Sequence, residues 1–220
     1  MNKNKKVIGL ILSVVAVIVI ISCIFIFKTA NTKSFSQESV QTLLSNGASL
    51  HSFKTDNKST NIIINGNLDE TALIDLSKKV SSMKKAPENI NISVTNADSV
   101  DLNSFYTEGL TLTSTINTKS KSADISSFKK SELTKDYEMK VSDYKYGDIE
   151  NTDKTAIINI SSSKLTESDC QNELVVFANI VKNLNSDLDN IIVNCNVSDK
   201  TYSISTNDKN ILKTTQQYKL

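Results

Sequence analysis

Residues 59–94 read STNIIINGNLDETALIDLSKKVSSMKKAPENINISV, and their periodicity decides the fold. Asn61–Asn65 carries three consecutive isoleucines, the pattern of a buried strand. Leu68-Asp69-Glu70-Thr71 then opens a helix, with Asp69 as N-cap and Glu70 near the positive helix end. Ala72, Leu73, Leu76, Val80 and Met83 fall on one stripe at helical spacing, so the helix is predicted to run from Asp69 to about Lys85. Lys78, Lys79, Lys84 and Lys85 favour its negative end, and Pro87, the one proline, stops it. Ile90, Ile92 and Val94 then alternate as a strand.

Outward from this core, Leu50–Phe53 reads as a preceding strand with a turn at Thr55-Asp56-Asn57-Lys58, and Leu110, Leu112 and Ser114 read as a following one. The same order recurs downstream. Met139–Tyr146 is a predicted strand, Gly147–Asp153 a turn and Thr155–Ser161 a second strand. A helix is predicted from Thr166 to about Asn185, opened by Leu165-Thr166-Glu167-Ser168. Its stripe is Cys170, Leu174, Phe177, Val181 and Leu184, widened by Ala178 and Ile180. Ile191, Val193, Cys195 and Val197, then Tyr202 and Ile204, complete it. The expected fold class is α+β, with two similar ββαββ units, each an antiparallel or mixed sheet carrying one helix.

Upstream, Val7–Phe27 is an apolar run long enough for a helix to cross a bilayer, which takes about 20 residues. Lys3, Lys5 and Lys6 precede it, so the positive-inside rule predicts a single-pass signal-anchor with residues 1–6 cytoplasmic and the remainder outside the cell membrane. Two other fates compete. Ile20-Ile21-Ser22-Cys23 is similar to a bacterial lipobox, which makes Cys23 a lipidation candidate, although Ile24-Phe25-Ile26-Phe27 stay apolar where mature lipoproteins turn polar. Cleavage to a released protein lacks a clean small-x-small site.

The domain reading is therefore a tail at 1–6, a transmembrane segment at 7–27 and a linker with a short Ser36-capped helix at 28–47. The first unit spans 48–116, a Lys/Ser-rich connector 117–137, the second unit 138–212 and a C-terminal tail 213–220.

Composition narrows function. All 25 basic residues of the 220 are lysine, and asparagine and isoleucine abound, the bias of an AT-rich coding sequence such as a low-GC bacterium's. Four lysines precede residue 31 with no acid, leaving 21 lysines against all 24 acids. An arginine-free, slightly acidic domain lacks both the basic footprint for nucleic acid and the guanidinium fork for phosphate.

Catalytic inventory is thin. There is no phosphate-cradling glycine loop and no G-x-S-x-G elbow. His51, the one histidine, has no second ligand or triad partner in view. Asp148-Ile149-Glu150-Asn151-Thr152-Asp153 is oxygen-rich but lacks EF-hand spacing, so it reads as a solvated turn. No catalytic residue, cofactor or metal is assigned. Cys170 and Cys195 sit at a helix start and a strand end that a β-α-β crossover brings together, which makes them a disulfide candidate, with two buried thiols as the competing reading. Tyr144 and Tyr146, on one strand face, and Val175 and Val176, off the helix stripe, are candidate partner surface.

The expected function is a membrane-tethered extracytoplasmic binding or scaffolding protein, held by residues 7–27 and contacting an envelope protein or glycan. The alternatives are a cell-envelope hydrolase using acidic residues and an extracytoplasmic ligand sensor binding between the units.

Overall fold

The computed structural model describes residues 33–45, 47–56, 58–97, 105–130, 145–152, 154–161, 167–184, 187–208 and 211–220. The expected tail, anchor and Cys23 lie outside these residues, as does Tyr144. Among the described residues no helix is long and apolar enough to cross a membrane.

The fold is mixed α+β. A short helix α1 (Gln37–Gln41) is capped by Ser36, whose hydroxyl accepts from the Ser39 N–H. Strands β1 (Ala48–Thr55) and β2 (Ser59–Gly66) pair antiparallel around Asp56, whose carboxylate accepts the Lys58 and Ser59 N–H groups. These bonds hold its pKa below the usual carboxylate value. Helix α2 (Glu70–Ser81) crosses to β3 (Asn89–Thr95), which lies parallel to β2. Strands β4 (Leu110–Asn117) and β5 (Ser122–Lys130) follow antiparallel.

In the second half, β6 (Lys145–Thr152) and β7 (Thr155–Ser161) pair antiparallel. Helix α3 (Glu167–Leu184) leads to β8 (Asn190–Val197), parallel to β7. Strands β9 (Lys200–Ser205) and β10 (Ile211–Lys219) follow antiparallel.

The ten strands among the described residues form one sheet, ordered β1-β2-β3-β4-β5-β10-β9-β8-β7-β6. The seam is β5 against β10, paired antiparallel from Ser122–Lys219 to Lys130–Ile211. This corrects three expectations. The sheets are continuous rather than separate. The connector at 117–137 holds β5, and the tail at 213–220 is largely β10. Neither strand shows apolar alternation over its whole length, because the helices do not cover the seam. The turn expected at Gly147–Asp153 is also strand as far as Thr152, on the outer edge. Both edge strands carry a register shift, between Leu50 and Ser52 in β1 and between Tyr146 and Ile149 in β6. Such bulges discourage edge-to-edge association.

Cross-strand partners share a face. Ile125 lies opposite Gln216, and Thr214 opposite Tyr202, which carries one face across the seam. Both helices therefore sit on the same side. Under α2 the core holds Ile62, Ile64, Leu73, Val80, Ile90, Ile92 and Ile116. Under α3 it holds Ile158, Cys170, Leu174, Phe177, Ile191, Val193 and Ile204. Ile180 is an exposed large apolar side chain, 38% accessible, and does not widen the buried stripe.

Helix α2 ends four residues before the predicted Lys85. The hydroxyls of Ser81 and Ser82 take the carbonyls of Lys78 and Lys79, which stops propagation. Within the helix Ser77 is fully buried. It donates to the Leu73 carbonyl at 2.7 Å and lies 2.8 Å from the equally buried Ser114 hydroxyl on β4. The shared proton is therefore Ser114's. Ser77→Ala strands that donor and is expected to cost about 1–3 kcal/mol, whereas Ser114→Ala costs about 1 kcal/mol. The double variant should recover part of the Ser77→Ala loss, and a chemical-denaturation cycle reads the coupling. Strict additivity would contradict the Ser77–Ser114 bond.

Candidate functional site: a trough over the central seam

Helices α2 and α3 cannot roof ten strands. Helix α2 packs on β4 and β5, and α3 on β8 and β9, with β10 between. At about 4.8 Å per strand the helix axes are about 15 Å apart, against about 8–10 Å for helices in contact. Beside the start of α2, over β4, β5, β10 and β9, lies a trough of about 450 Å³, in the range of ligand sites.

Its floor is apolar at Leu112 and Ile125 and polar at Ser127, Thr214 and Gln216. The acidic wall is the start of α2, Asp69 and Glu70; Lys129 and Lys200 bring positive charge from β5 and β9. Asp69 is held in place as N-cap, accepting the Ala72 N–H at 2.7 Å. Glu70 is held by Tyr218 of β10, whose hydroxyl donates to Oε1 at 2.6 Å and lies 2.8 Å from Gln216 Oε1. Burial, then the bond to Glu70, push the Tyr218 hydroxyl up to about 12.

The sign follows by linkage. A hydroxyl titrating near 12 when folded and near 10 when unfolded contributes stability that is whole below pH 10 and disappears by pH 12. The stability difference between the parent chain and Tyr218→Phe should therefore shrink between pH 10 and 12 in urea unfolding. A constant difference would contradict the raised Tyr218 pKa.

The opposite face is polar, and Ser93, Ser126, Ser203 and Ser205 are buried on it. Asn91 donates to Asn61, Asn194 to Asn159 and Ser203 to Asn194, forming amide and hydroxyl rows across strands. Near one end Tyr106 packs on Phe128, and the Lys213 ammonium lies 5.9 Å from the Phe105 ring centre and 6.0 Å from that of Phe128. Burial lowers the Lys213 pKa, and Asp124 partly offsets it. Asp208 is raised by burial, partly offset by the Tyr106 N–H.

The residues singled out from sequence scatter. Cys170 and Cys195 are both fully buried in the α3 core cluster, and no disulfide joins them. Val175 is 3% exposed in that same cluster, which removes it from any partner surface, because α3 turns more of its circumference inward than the predicted stripe. Val176 is half-buried. Tyr146 lies on edge strand β6, paired with Ile160. His51 is exposed at the β1 irregularity. The oxygen-rich run from Asp148 to Thr152 is strand, and Asp153 lies outside the described residues. Among the described residues no three metal-ligating side chains cluster. None of the trough residues was anticipated as part of a site: they come from five elements, and no local motif links Glu70 to Tyr218.

Comparison with protein-family models, with curated proteins and with solved structures finds no match.

Proposed function

We propose that this chain is a non-enzymatic, membrane-tethered extracytoplasmic binding protein that holds an envelope protein segment or glycan in the trough over the β5–β10 seam. The trough itself carries the reading: it has the volume of a ligand site, opposed charges and polar groups along a mixed floor. The apolar run 7–27 behind Lys3, Lys5 and Lys6 supports attachment to the cell membrane with the sheet outside. Lipidation at Cys23 is the alternative attachment, and intact mass distinguishes the two, since the full chain is 24.2 kDa. The hydrolase alternative has less support, because both trough carboxylates are held in hydrogen bonds of the fold.

We also read the two halves as copies of one unit. The sequence of pairing senses supports this: antiparallel, parallel across a helix, antiparallel, antiparallel in both. Each copy is then ββαβββ, one strand longer than the ββαββ read from sequence. The trough lies where the copies join, which makes it the site for a ligand that senses both.

A photo-crosslinking residue at Thr214, in the full chain at native expression, tests the binding reading. Irradiated cells are expected to yield one reproducible adduct, lost when Ser127→Trp fills the trough. Adducts no more specific than those from the same residue at exposed Asn61 would contradict it.

A further inference from the structure

The point where the chain enters the sheet domain carries an unbalanced positive surface. Residues 33–35 are strapped to the end of α2: the Phe35 N–H donates to the Lys84 carbonyl at 2.8 Å, and the Lys84 N–H to the Lys33 carbonyl at 3.2 Å. Lys33, Lys78, Lys79, Lys84 and Lys85 are all exposed. Among the described residues none of the five is in an ion pair. The nearest acids along the chain are Asp75, one turn back on α2, Glu88, which pairs with Lys119 at 2.6 Å, and Glu38 of α1; five lysines against these three leave positive charge in excess. Between Lys33 and Lys79 a groove of about 340 Å³ opens over Leu43 and Met83.

From this juxtaposition we infer that the lysine cluster at the end of α2 docks on the anionic headgroups of the membrane that holds the chain. The inference rests on the anchor reading of residues 7–27. Five residues separate Phe27 from Lys33, so the tether holds the cluster within about 20 Å of the bilayer. No other face of the domain is so constrained. Charge complementarity selects the occupant: ammonium groups near an anionic leaflet are attracted over about a Debye length, 8 Å. The rim of the groove, two lysines over apolar side chains, suits a headgroup phosphate with the first part of its lipid. Docking fixes how the domain stands, so that the sheet is presented at a set angle instead of swinging on its tether.

The test uses the full chain labelled at Ser82→Cys with a fluorophore, reconstituted in bilayers containing a nitroxide-headgroup quencher. Quenching is expected to be strong with phosphatidylglycerol present, weak in phosphatidylcholine alone, and relieved by high salt. Each lysine neutralised among Lys78→Gln, Lys79→Gln, Lys84→Gln and Lys85→Gln should lower contact about five-fold. The salt arm compares one and the same labelled chain, with no lysine substitution, so it does not depend on how a lysine variant folds. Equal quenching in both lipids, or indifference to salt, overturns the docking. Flotation with neutral vesicles separates the two layers of the argument. A chain that floats with phosphatidylcholine but shows no lipid-dependent quenching retains its anchor and loses the docked surface. A chain that floats with neither loses both. Flotation with anionic vesicles alone overturns the anchor and leaves the lysine surface as the sole attachment.

Discussion

Leu174→Ala is expected to lower the unfolding free energy by about 2–5 kcal/mol. Leu174 is wholly inaccessible, at the centre of the face that α3 presses on β8 and β9. Its neighbours Ile191, Val193 and Ile204 sit on strands paired on both sides, so the floor cannot close on the space left behind. The loss is thus transfer free energy plus a persistent cavity. Against a total of about 5–15 kcal/mol this is a large fraction. For a chain of this size each kcal/mol moves Tm by about 2–4 °C. Thermal unfolding of the full chain in detergent micelles, followed by circular dichroism, reads it. The half-buried Val176→Ala is the control and should cost less. A loss below about 1 kcal/mol would contradict the packing. Leu73→Ala, in the other cluster, should weaken the same transition, because the hydrogen-bonded seam joins both cores into one sheet. Two separate transitions would mean that the seam does not couple them.

Gly66→Ala is expected to cost about 2–4 kcal/mol. Gly66 closes β2 at φ +138°, a region reached almost solely by glycine, where a side chain costs about 1–3 kcal/mol. Space is also lacking. A Cβ there would lie 2.3 Å from the Gly47 carbonyl oxygen and 2.8 Å from the Ala48 Cα. Both are backbone atoms at the start of β1, so relief requires prising the edge strand away from β2. Gly47 provides the internal comparison. It has φ +93° but nothing within 4 Å of its virtual Cβ, so Gly47→Ala should cost about 1–2 kcal/mol from backbone strain alone. Urea unfolding of both variants reads the difference. Equal losses would show that the close approach at Gly66 is not maintained in solution.

What could be read from sequence follows what the helices cover. Asp69, Leu73, Leu76 and Val80 announce α2 because cap and stripe agree, and Ile90, Ile92 and Val94 announce β3 because a helix buries one face. Strands β5 and β10 escape for the opposite reason. On their helix side Ser127, Lys129, Thr214 and Gln216 line a trough that no described helix covers, so apolar alternation breaks off. Strand β6 reads as a turn because an edge strand tolerates Gly147, Asp148 and Glu150, residues that deter pairing with other chains. The trough had no local signature at all. Its residues meet through strand order, and strand order is set by the β5–β10 pairing across 89 residues of separation, as between Ser126 and Thr215.

The claim that this trough faces the cell exterior is tested most directly by Thr214→Cys in wall-stripped cells treated with a membrane-impermeant maleimide. Cys170 and Cys195 are wholly buried and contribute little background. The account predicts labelling of intact cells, equal to that after lysis. Labelling that appears only once the membrane is broken would place the trough inside and contradict it.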